Sequence, residues 1–238
     1  EVKIKENHPT EPQTWRVFLD REFTAKLRVI KKDSDTKQTV LVPNAEFKIF
    51  NIDKNEYVKQ YTTYPSKVEH TSFFTDEDGD LILPEALKIG NYRIEEVSAP
   101  FGYVVNDKYV NISVDTDTAF ETDGDTNDAI ITVEYSDAPA VGELTVEKKG
   151  EVLDGFKGGF LASSYEKEFV YKEGSLAGAK FKVYAAEDIY TADNQKDADG
   201  NRIKYYSKGD LVTTLTTGKD GKATAKNLPL GQYRVVEV

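Results

Sequence analysis

The 238-residue sequence contains no cysteine and no methionine, and it has only two histidines and one tryptophan. Without cysteine, disulfides and thiolate metal sites are excluded, so any covalent staple must use other chemistry. His8 and His70 lie far apart in the sequence, which leaves a histidine-based catalytic site short of partners. No Ser-His-Asp, metal-ligand or phosphate-loop pattern is present. We therefore predict no cofactor and no enzyme activity toward an external substrate.

A positive net charge and long apolar runs are also absent. The formal net charge is −11, which argues against nucleic-acid partners, because phosphates need lysine and arginine patches. It argues equally against anionic membrane surfaces. No apolar run approaches the roughly 20 residues of a membrane span. The sequence starts at Glu1 with neither an initiator methionine nor a signal peptide, which predicts that it belongs to a longer protein.

Short runs rich in valine, isoleucine, tyrosine, phenylalanine and threonine alternate with glycine and Asp/Asn turns. Long stretches with a period of 3.6 residues are scarce. This pattern is typical of an all-β fold built from antiparallel β-sandwich domains. One short helix is expected near Ala185–Ile189. The clearest runs are LRVIK, AEFKIF, DLIL, YRIEE, YVNISV and AIITVEYSD.

The chain repeats itself, which predicts two tandem copies of one domain. Four segments recur in the same order: LRVIKKD (27–33) with LTVEKKG (144–150), NAEFKIF (44–50) with GAKFKVY (178–184), TDEDGDLIL (75–83) with TGKDGKATA (217–225), and GNYRIEEV (90–97) with GQYRVVEV (231–238).

We predict a first repeat at 24–138 and a second repeat at 143–238, joined by the Pro/Gly-containing linker APAVG. The second repeat carries extra residues at about 150–174 and 185–208 and lacks its last strands. Residues 1–23 fit neither copy. They are either an N-terminal extension or the tail of a preceding repeat, with EVKIKENHP as its closing strand.

Alternation along three strands turns ionisable side chains inward. Tyr92, Ile94 and Glu96 share one face of YRIEEV, so a carboxylate lies in line with apolar residues. Lys31 follows Leu27 and Val29 in the same way. Asp137 follows Val133 and Tyr135 in the strand before the linker. The first repeat is therefore predicted to bury Lys31, Glu96 and Asp137 together.

Burying these three groups without strong pairing would be very costly. Desolvation lowers a lysine pKa and raises carboxyl pKa values. A neutral Lys31 amine can attack the Asp137 side-chain carbonyl while a protonated Glu96 polarises that carbonyl and shuttles protons. Water leaves, and a Lys–Asp isopeptide bond remains. Folding supplies the proximity. Two alternatives stay open: a buried salt bridge, or a face assignment wrong by one residue.

The run GNYRIEEVSAPFGY (90–103) resembles the E-box segment of collagen-adhesin B-type domains (Cna B-type, SpaA-like), the prealbumin-like domains of Gram-positive pilins and surface adhesins. LRVIKKD, NAEFKIF and the TDEDG turn are also similar to segments of this family. The resemblance covers about 24–138 fully and about 143–238 without its end. It implies a prealbumin-like sandwich and an intramolecular isopeptide bond.

By this resemblance Lys31 is the donor, Glu96 the catalytic acid and Asp137 the acceptor. Asparagine is the commoner acceptor in the family, so Asp137 is a departure within its range. In the second repeat, Lys148 corresponds to the donor and Glu237 to the acid, while the acceptor would lie beyond Val238.

Two aspartate-rich runs, at 76–80 and 193–200, could bind Ca²⁺, but neither has the full twelve-residue spacing that ends in glutamate. Asp-Gly turns explain them more simply. Trp15 lies outside both repeats and could pack between domains.

The residues and the resemblance together predict a stalk or shaft segment of a cell-wall-anchored Gram-positive surface protein. Its location would be extracellular, on the bacterial surface, and its partners would be neighbouring repeats of the same protein. One alternative is an adhesin module that binds host matrix protein or glycan. Another is a sortase-polymerised pilin subunit, although no LPxTG-type signal is present and TTYPSK (62–67) is only weakly similar to a pilin motif.

Overall fold

The structure is a computed structural model that describes residues 22–124, 126, 128–158, 160–161, 164–165 and 168–238. These residues form strands, turns and loops and include no helix, which confirms the all-β fold class. The short helix expected near Ala185–Ile189 is wrong. A strand runs through Ala185, and after a bend another begins at Ile189. The EVKIKENHP strand and Trp15 lie outside the described residues.

Thirteen strands lie between residues 24 and 139. They are β1 (Thr24–Asp33), β2 (Glu46–Asn51), β3 (Glu56–Tyr57), β4 (Gln60–Thr62), β5 (Val68–His70), β6 (Phe73–Phe74), β7 (Asp80–Ile82), β8 (Leu87–Lys88), β9 (Gly90–Ser98), β10 (Tyr103–Val104), β11 (Val110–Val114), β12 (Glu121–Thr122) and β13 (Ala129–Pro139).

These strands form two main sheets. One has the order β10-β13-β1-β7, with β12 and β8 at its margins, and the other has the order β11-β9-β2-β3, with β6 on β2. Most pairings are antiparallel, but β1 and β13 are parallel neighbours, from Ala25 opposite Ala129 to Asp33 opposite Asp137. The first and last long strands of the first repeat therefore lie side by side, an arrangement that the alternation pattern did not specify.

The core lies between the two sheets because alternate residues of each strand point inward. On β1 the alternation is complete, and every second side chain from Ala25 to Asp33 is buried. The buried apolar cluster draws on both sheets and contains Ala25, Leu27, Val29, Ala45, Phe47, Ile49, Phe73, Leu81, Leu83, Leu87, Tyr92, Ile94, Val114, Ala129, Ile131 and Tyr135.

The described residues after 139 form eleven further strands. They are β14 (Val141–Glu147), β15 (Lys149–Lys157), β16 (Phe160–Leu161), β17 (Ser164–Tyr165), β18 (Glu168–Ser175), β19 (Lys180–Ala185), β20 (Ile189–Tyr190), β21 (Lys204–Tyr206), β22 (Leu211–Thr216), β23 (Lys222–Pro229) and β24 (Tyr233–Glu237).

The second half of the chain has a smaller core. The sheets β14-β23 and β22-β19-β24 bring together Val183, Leu215, Ala225 and Leu228. Its extra residues form the hairpin pairs β15-β18 and β20-β21. Only Ala140 separates β13 from β14, and its amide donates to the Gly102 carbonyl at 2.8 Å. The domain boundaries at 24–138 and 143–238 stay a prediction. The part of the chain described here contains no helix long and apolar enough to cross a membrane.

Candidate functional site: a buried lysine between two carboxyl groups

Lys31 occupies a core position of β1. Its side chain is fully buried, like those of Leu27 and Val29, because all three share the inward face of the strand. Asp33 follows on the same face and is also fully buried. This fourth inward ionisable residue was not among the residues predicted from the sequence, although its spacing of two from Lys31 was the available signal.

Asp137 reaches Lys31 from the neighbouring strand. The parallel register sets Tyr135 opposite Lys31 and Asp137 opposite Asp33, so Asp137 is the inward residue one step further along β13. Lys31 Nζ lies 2.6 Å from Asp137 Oδ1, and both side chains are fully buried.

Glu96 comes from the facing sheet. Its strand, β9, lies in the sheet opposite β1 and β13, and Glu96 Oε1 lies 2.6 Å from Lys31 Nζ. Its other oxygen, Oε2, accepts a hydrogen bond from the Asn106 amide at 3.0 Å. Both oxygens of Glu96 are therefore held, one by the lysine and one by the backbone.

Burial sets the protonation of Asp137. It raises the pKa of the Asp137 carboxyl to about 7, an effect that Lys31 opposes and Glu96 reinforces. Two adjacent carboxylates beside one ammonium would leave an uncompensated buried charge, so one acid tends to keep its proton. Burial thus makes Asp137 hold its proton to a higher pH than an exposed aspartate does.

The contact between Lys31 and Asp137 is close but lies outside hydrogen-bond geometry. Among the described residues neither carboxyl oxygen of Asp137 has a hydrogen-bond partner, even though Nζ is 2.6 Å from Oδ1. A buried polar group without a partner is costly, typically about 1–3 kcal/mol. Conversion of the carboxyl group to an amide would remove this cost.

Two aromatic rings flank the lysine amine. Nζ lies 4.7 Å from the centre of the Tyr135 ring and 5.6 Å from that of Phe47, and the rings meet edge to face at 5.1 Å. The Tyr135 hydroxyl donates to the carbonyls of Asn106 and Lys108. Burial raises the pKa of Tyr135 to about 12, so the hydroxyl remains a donor. These residues exclude water and hold the segment whose amide contacts Glu96.

Sequence analysis did not identify Asn106, Tyr135 or Phe47 as part of the site. Tyr135 and Phe47 carry only the ordinary signal of core aromatics, an inward position on a strand. Asn106 lies in the loop between β10 and β11, and it acts mainly through its backbone, which leaves no signal in a single sequence. Its side chain donates to the Ser136 carbonyl at 2.9 Å, which fixes it beside Asp137.

Lys148 and Glu237 also meet in the structure. Lys148 Nζ lies 2.8 Å from Glu237 Oε2, but the two side chains are 33% and 45% exposed. In the described residues β14 pairs with β23 alone and β24 with β19 alone. Lys148 and Glu237 are thus together without the covering strand that β13 provides for Lys31.

The aspartate-rich runs form turns. Asp76 accepts from the amide of Asp78, and Asp197 accepts from the amides of Asp199 and Asn201. Gly79 and Gly200 have φ of +79° and +85°, which favours glycine. Within the described ranges no group of three or more His, Cys, Asp or Glu side chains is arranged to hold a metal ion.

A two-sheet sandwich with its first and last long strands paired in parallel, and a lysine buried between two carboxyl groups, defines a prealbumin-like β-sandwich protein. The model of the SpaA family of prealbumin-like fold domains matches residues 25–128 and 166–238, and the chain belongs to this family. Lys31, Glu96 and Glu237 lie inside the matched ranges. Asp137 and Lys148 lie between them, so their assignment depends on geometry.

Several solved structures are similar to this chain. The Bacillus anthracis TIE protein is 23% identical over 91% of this chain and 28% of its own, with a TM-score of 0.49. A streptococcal ancillary pilin is 22% identical over 91% of this chain and 54% of its own, with a TM-score of 0.36. The C-terminal domain of the shaft pilin SpaA from Lactobacillus rhamnosus GG is 20% identical over 50% of this chain and all of its own, with a TM-score of 0.34.

This chain spans about half or less of the length of the first two proteins. At these identities and TM-scores, neither a residue role nor a function is transferred from them. No curated protein sequence matches the chain at a significant level.

Proposed function

We propose that this chain is a load-bearing stalk or shaft segment of a Gram-positive cell-surface protein, a pilin or an adhesin, closed by a self-formed isopeptide bond between Lys31 and Asp137. The observation that carries the proposal is the position of Lys31 Nζ, 2.6 Å from both Glu96 Oε1 and Asp137 Oδ1 in a site closed to solvent.

The reaction balances with the groups present. The Lys31 ammonium gives a proton to the Glu96 carboxylate, with which it already shares a hydrogen bond. The neutral amine adds to Cγ of the protonated Asp137 carboxyl group. As the tetrahedral intermediate collapses, Glu96 gives its proton to the departing hydroxyl oxygen and takes another from the nitrogen, and one water leaves. The Lys31–Asp137 amide remains, and Glu96 ends protonated, because it keeps the proton that Lys31 carried as an ammonium.

This assignment refines the role expected for Glu96. The expectation was a protonated Glu96 that polarises the Asp137 carbonyl. The raised pKa of Asp137 favours a different division of labour, in which the acceptor supplies its own proton and stays electrophilic. Glu96 then serves first as a base and later as an acid.

The bond would carry load because of where it lies. β1 and β13 run in the same direction, so the chain enters this strand pair at one end and leaves it at the other. Tension on the chain would shear the ladder between them. A covalent link from residue 31 to residue 137 would pass that tension directly between the strands, and residues 32–136 would be shielded. The chemistry is used once, on the protein itself, so the chain is not an enzyme in the usual sense.

Intact-mass measurement tests the proposal. We expect a mass one water below that of the sequence and a peptide pair joined through Lys31 and Asp137 that survives proteolysis. A mass equal to that of the unmodified chain would refute the bond, and the site would then be a buried salt bridge. The isosteric Glu96→Gln variant is the matched control, and it should show the full sequence mass.

The alternative of a ligand-binding adhesin module has one observation in its favour. A cleft of about 730 Å³ opens where the two repeats meet, and Phe101, Tyr190 and Arg202 are among its lining residues. Its volume lies within the usual range for ligand sites, about 300–1,000 Å³. Binding of this chain to arrays of host matrix proteins and glycans, lost on Phe101→Ala and Arg202→Ala, would support that function.

A further inference from the structure

The segment 186–210, most of which is the second extra stretch of the second repeat, contacts the first repeat directly. Its residues 191–195 lie against the loop that follows β1. Gln195 Nε2 donates to the Thr39 carbonyl at 2.7 Å, and the Leu41 amide donates to the Asp193 carbonyl at 2.9 Å. Asn194 Nδ2 donates to the Leu41 carbonyl at 3.4 Å. Backbone and side chains of both repeats therefore share one hydrogen-bond network.

Asp193 is the centre of this contact. Asp193 is only 2% exposed. Oδ2 accepts from the Thr36 hydroxyl at 3.1 Å, and Oδ1 accepts from the Gln195 amide at 3.1 Å. The buried Asp193 side chain accepts hydrogen bonds from both repeats. If either repeat moved away, this side chain would lose a hydrogen bond before water could replace it, which would be destabilising.

The loop that receives Asp193 is fixed to the strand that carries Lys31. The Val40 amide donates to the Lys31 carbonyl at 2.9 Å, and the Asp33 amide donates to the Gln38 carbonyl at 2.9 Å. Asp33 Oδ1 accepts from the amides of Asp35 and Thr36, while Oδ2 accepts from the Tyr103 hydroxyl at 2.7 Å. The loop is therefore a rigid extension of β1.

We propose that residues 191–195 form a lock that fixes the orientation of the second repeat relative to the first. The second repeat therefore occupies the surface formed by Thr36, Thr39 and Leu41. The joint between the two repeats is rigid, so it transmits force and torque to β1 instead of acting as a hinge. The single residue between β13 and β14 restricts the joint further. The lock does not depend on the Lys31–Asp137 bond, so its test can fail independently.

Distance measurements between spin labels test the lock. The chain has no cysteine, so labels at Lys54→Cys and Lys219→Cys, one exposed site in each repeat, would be the only ones. We expect a single narrow distance distribution. Asp193→Ala/Gln195→Ala should broaden it, and hydrogen exchange should show loss of protection at the Leu41 amide.

Asp197→Ala is the matched control, because Asp197 lies in the same segment but binds only amides of its own turn. It should leave the distribution narrow. The Leu83 and Thr217 amides, which bond inside the first and second repeats respectively, report whether a variant remains folded. If the Leu83 or Thr217 amide loses protection from hydrogen exchange in the double variant, the single variant Gln195→Ala takes its place in the distance measurement. A broad distance distribution in the labelled chain that keeps Asp193 and Gln195 would overturn the proposal. So would a distance distribution that stays narrow in the folded variant.

Discussion

Lys31 and Asp137 are 106 positions apart in the sequence, yet the Lys31 amine lies 2.6 Å from an oxygen of the Asp137 carboxyl group. They lie on adjacent parallel strands, with no solvent access to either side chain. An ordinary ion pair gains from hydrogen bonds at both partners, but the carboxyl oxygens of Asp137 have none among the described residues. This arrangement is one of the observations that support the proposed bond.

Replacement of Glu96 should prevent the bond and weaken the fold. We expect Glu96→Ala to show the full sequence mass and a free energy of unfolding lower by at least about 4–5 kcal/mol, the effect of losing a long covalent loop closure. Loss of the Lys31 counter-ion adds to this cost. Chemical denaturation with intact-mass analysis measures both quantities.

Glu95→Ala is the control for that experiment. Glu95 is the next residue of β9, but it pairs with Arg93 and Tyr57 at the surface. This variant should keep the bond and most of its stability. A Glu96→Ala protein that still lacks one water would show that Glu96 is not needed for the reaction.

An amide at the acceptor position should change the leaving group. Asp137→Asn is expected to form the same Lys31 cross-link with loss of ammonia instead of water, because a carboxamide of similar shape presents its carbonyl carbon to the amine. Mass spectrometry separates the two losses. An Asp137→Asn protein of unmodified mass would mean that the neutral carboxylic acid, with its own proton, is required.

Without the bond, stability should depend on pH through Asp137. Burial is the largest cause of the raised Asp137 pKa, and we expect it to persist in Glu96→Gln, although the smaller raising effect of Glu96 is lost. Because the folded-state pKa exceeds the unfolded value of about 3.9, the neutral acid contributes stability below about pH 4, and this contribution is lost as the pH rises toward the folded-state pKa. The free energy of unfolding should therefore fall across that window.

The double variant Glu96→Gln/Asp137→Asn removes the titrating group from the same environment. Its free energy of unfolding should change less between pH 4 and 7 than that of Glu96→Gln, as measured by denaturant unfolding at each pH. Parallel profiles would show that Asp137 does not titrate with a raised pKa in the folded protein.

Lys148 should remain unmodified in this 238-residue chain. It pairs with Glu237 in a partly exposed setting, and the structure gives it no contact with a second carboxyl or carboxamide group among the residues described. The second repeat should also unfold before the first because its buried apolar cluster is smaller. Peptide mapping and hydrogen exchange measure these outcomes.

A longer chain that reaches the next linker should join Lys148 to an asparagine or aspartate there, with loss of ammonia or water. If Lys148 stays free in such a well-folded chain, the repeat assignment is wrong, and Lys148–Glu237 is simply an ion pair.

The sequence determined the all-β class and the inward position of Lys31, Glu96 and Asp137. Both follow from strand alternation, a local property with a period of two residues. The repeat pattern likewise located Lys148 and Glu237. Because alternation specifies a face and not a neighbour, it could not reveal that β1 and β13 pair in parallel or that Glu96 reaches Lys31 from the opposite sheet.

Those relationships depend on packing between residues that are far apart in the sequence, which decides which strands meet and in what register. Long-range packing also places the Asn106 amide beside Glu96, and it places Asp193 against the first repeat. In the sequence, Asp193 was recognisable only as part of an extra stretch and of a predicted turn. Their roles depend on backbone groups and on a second repeat, and only the tertiary structure brings these together.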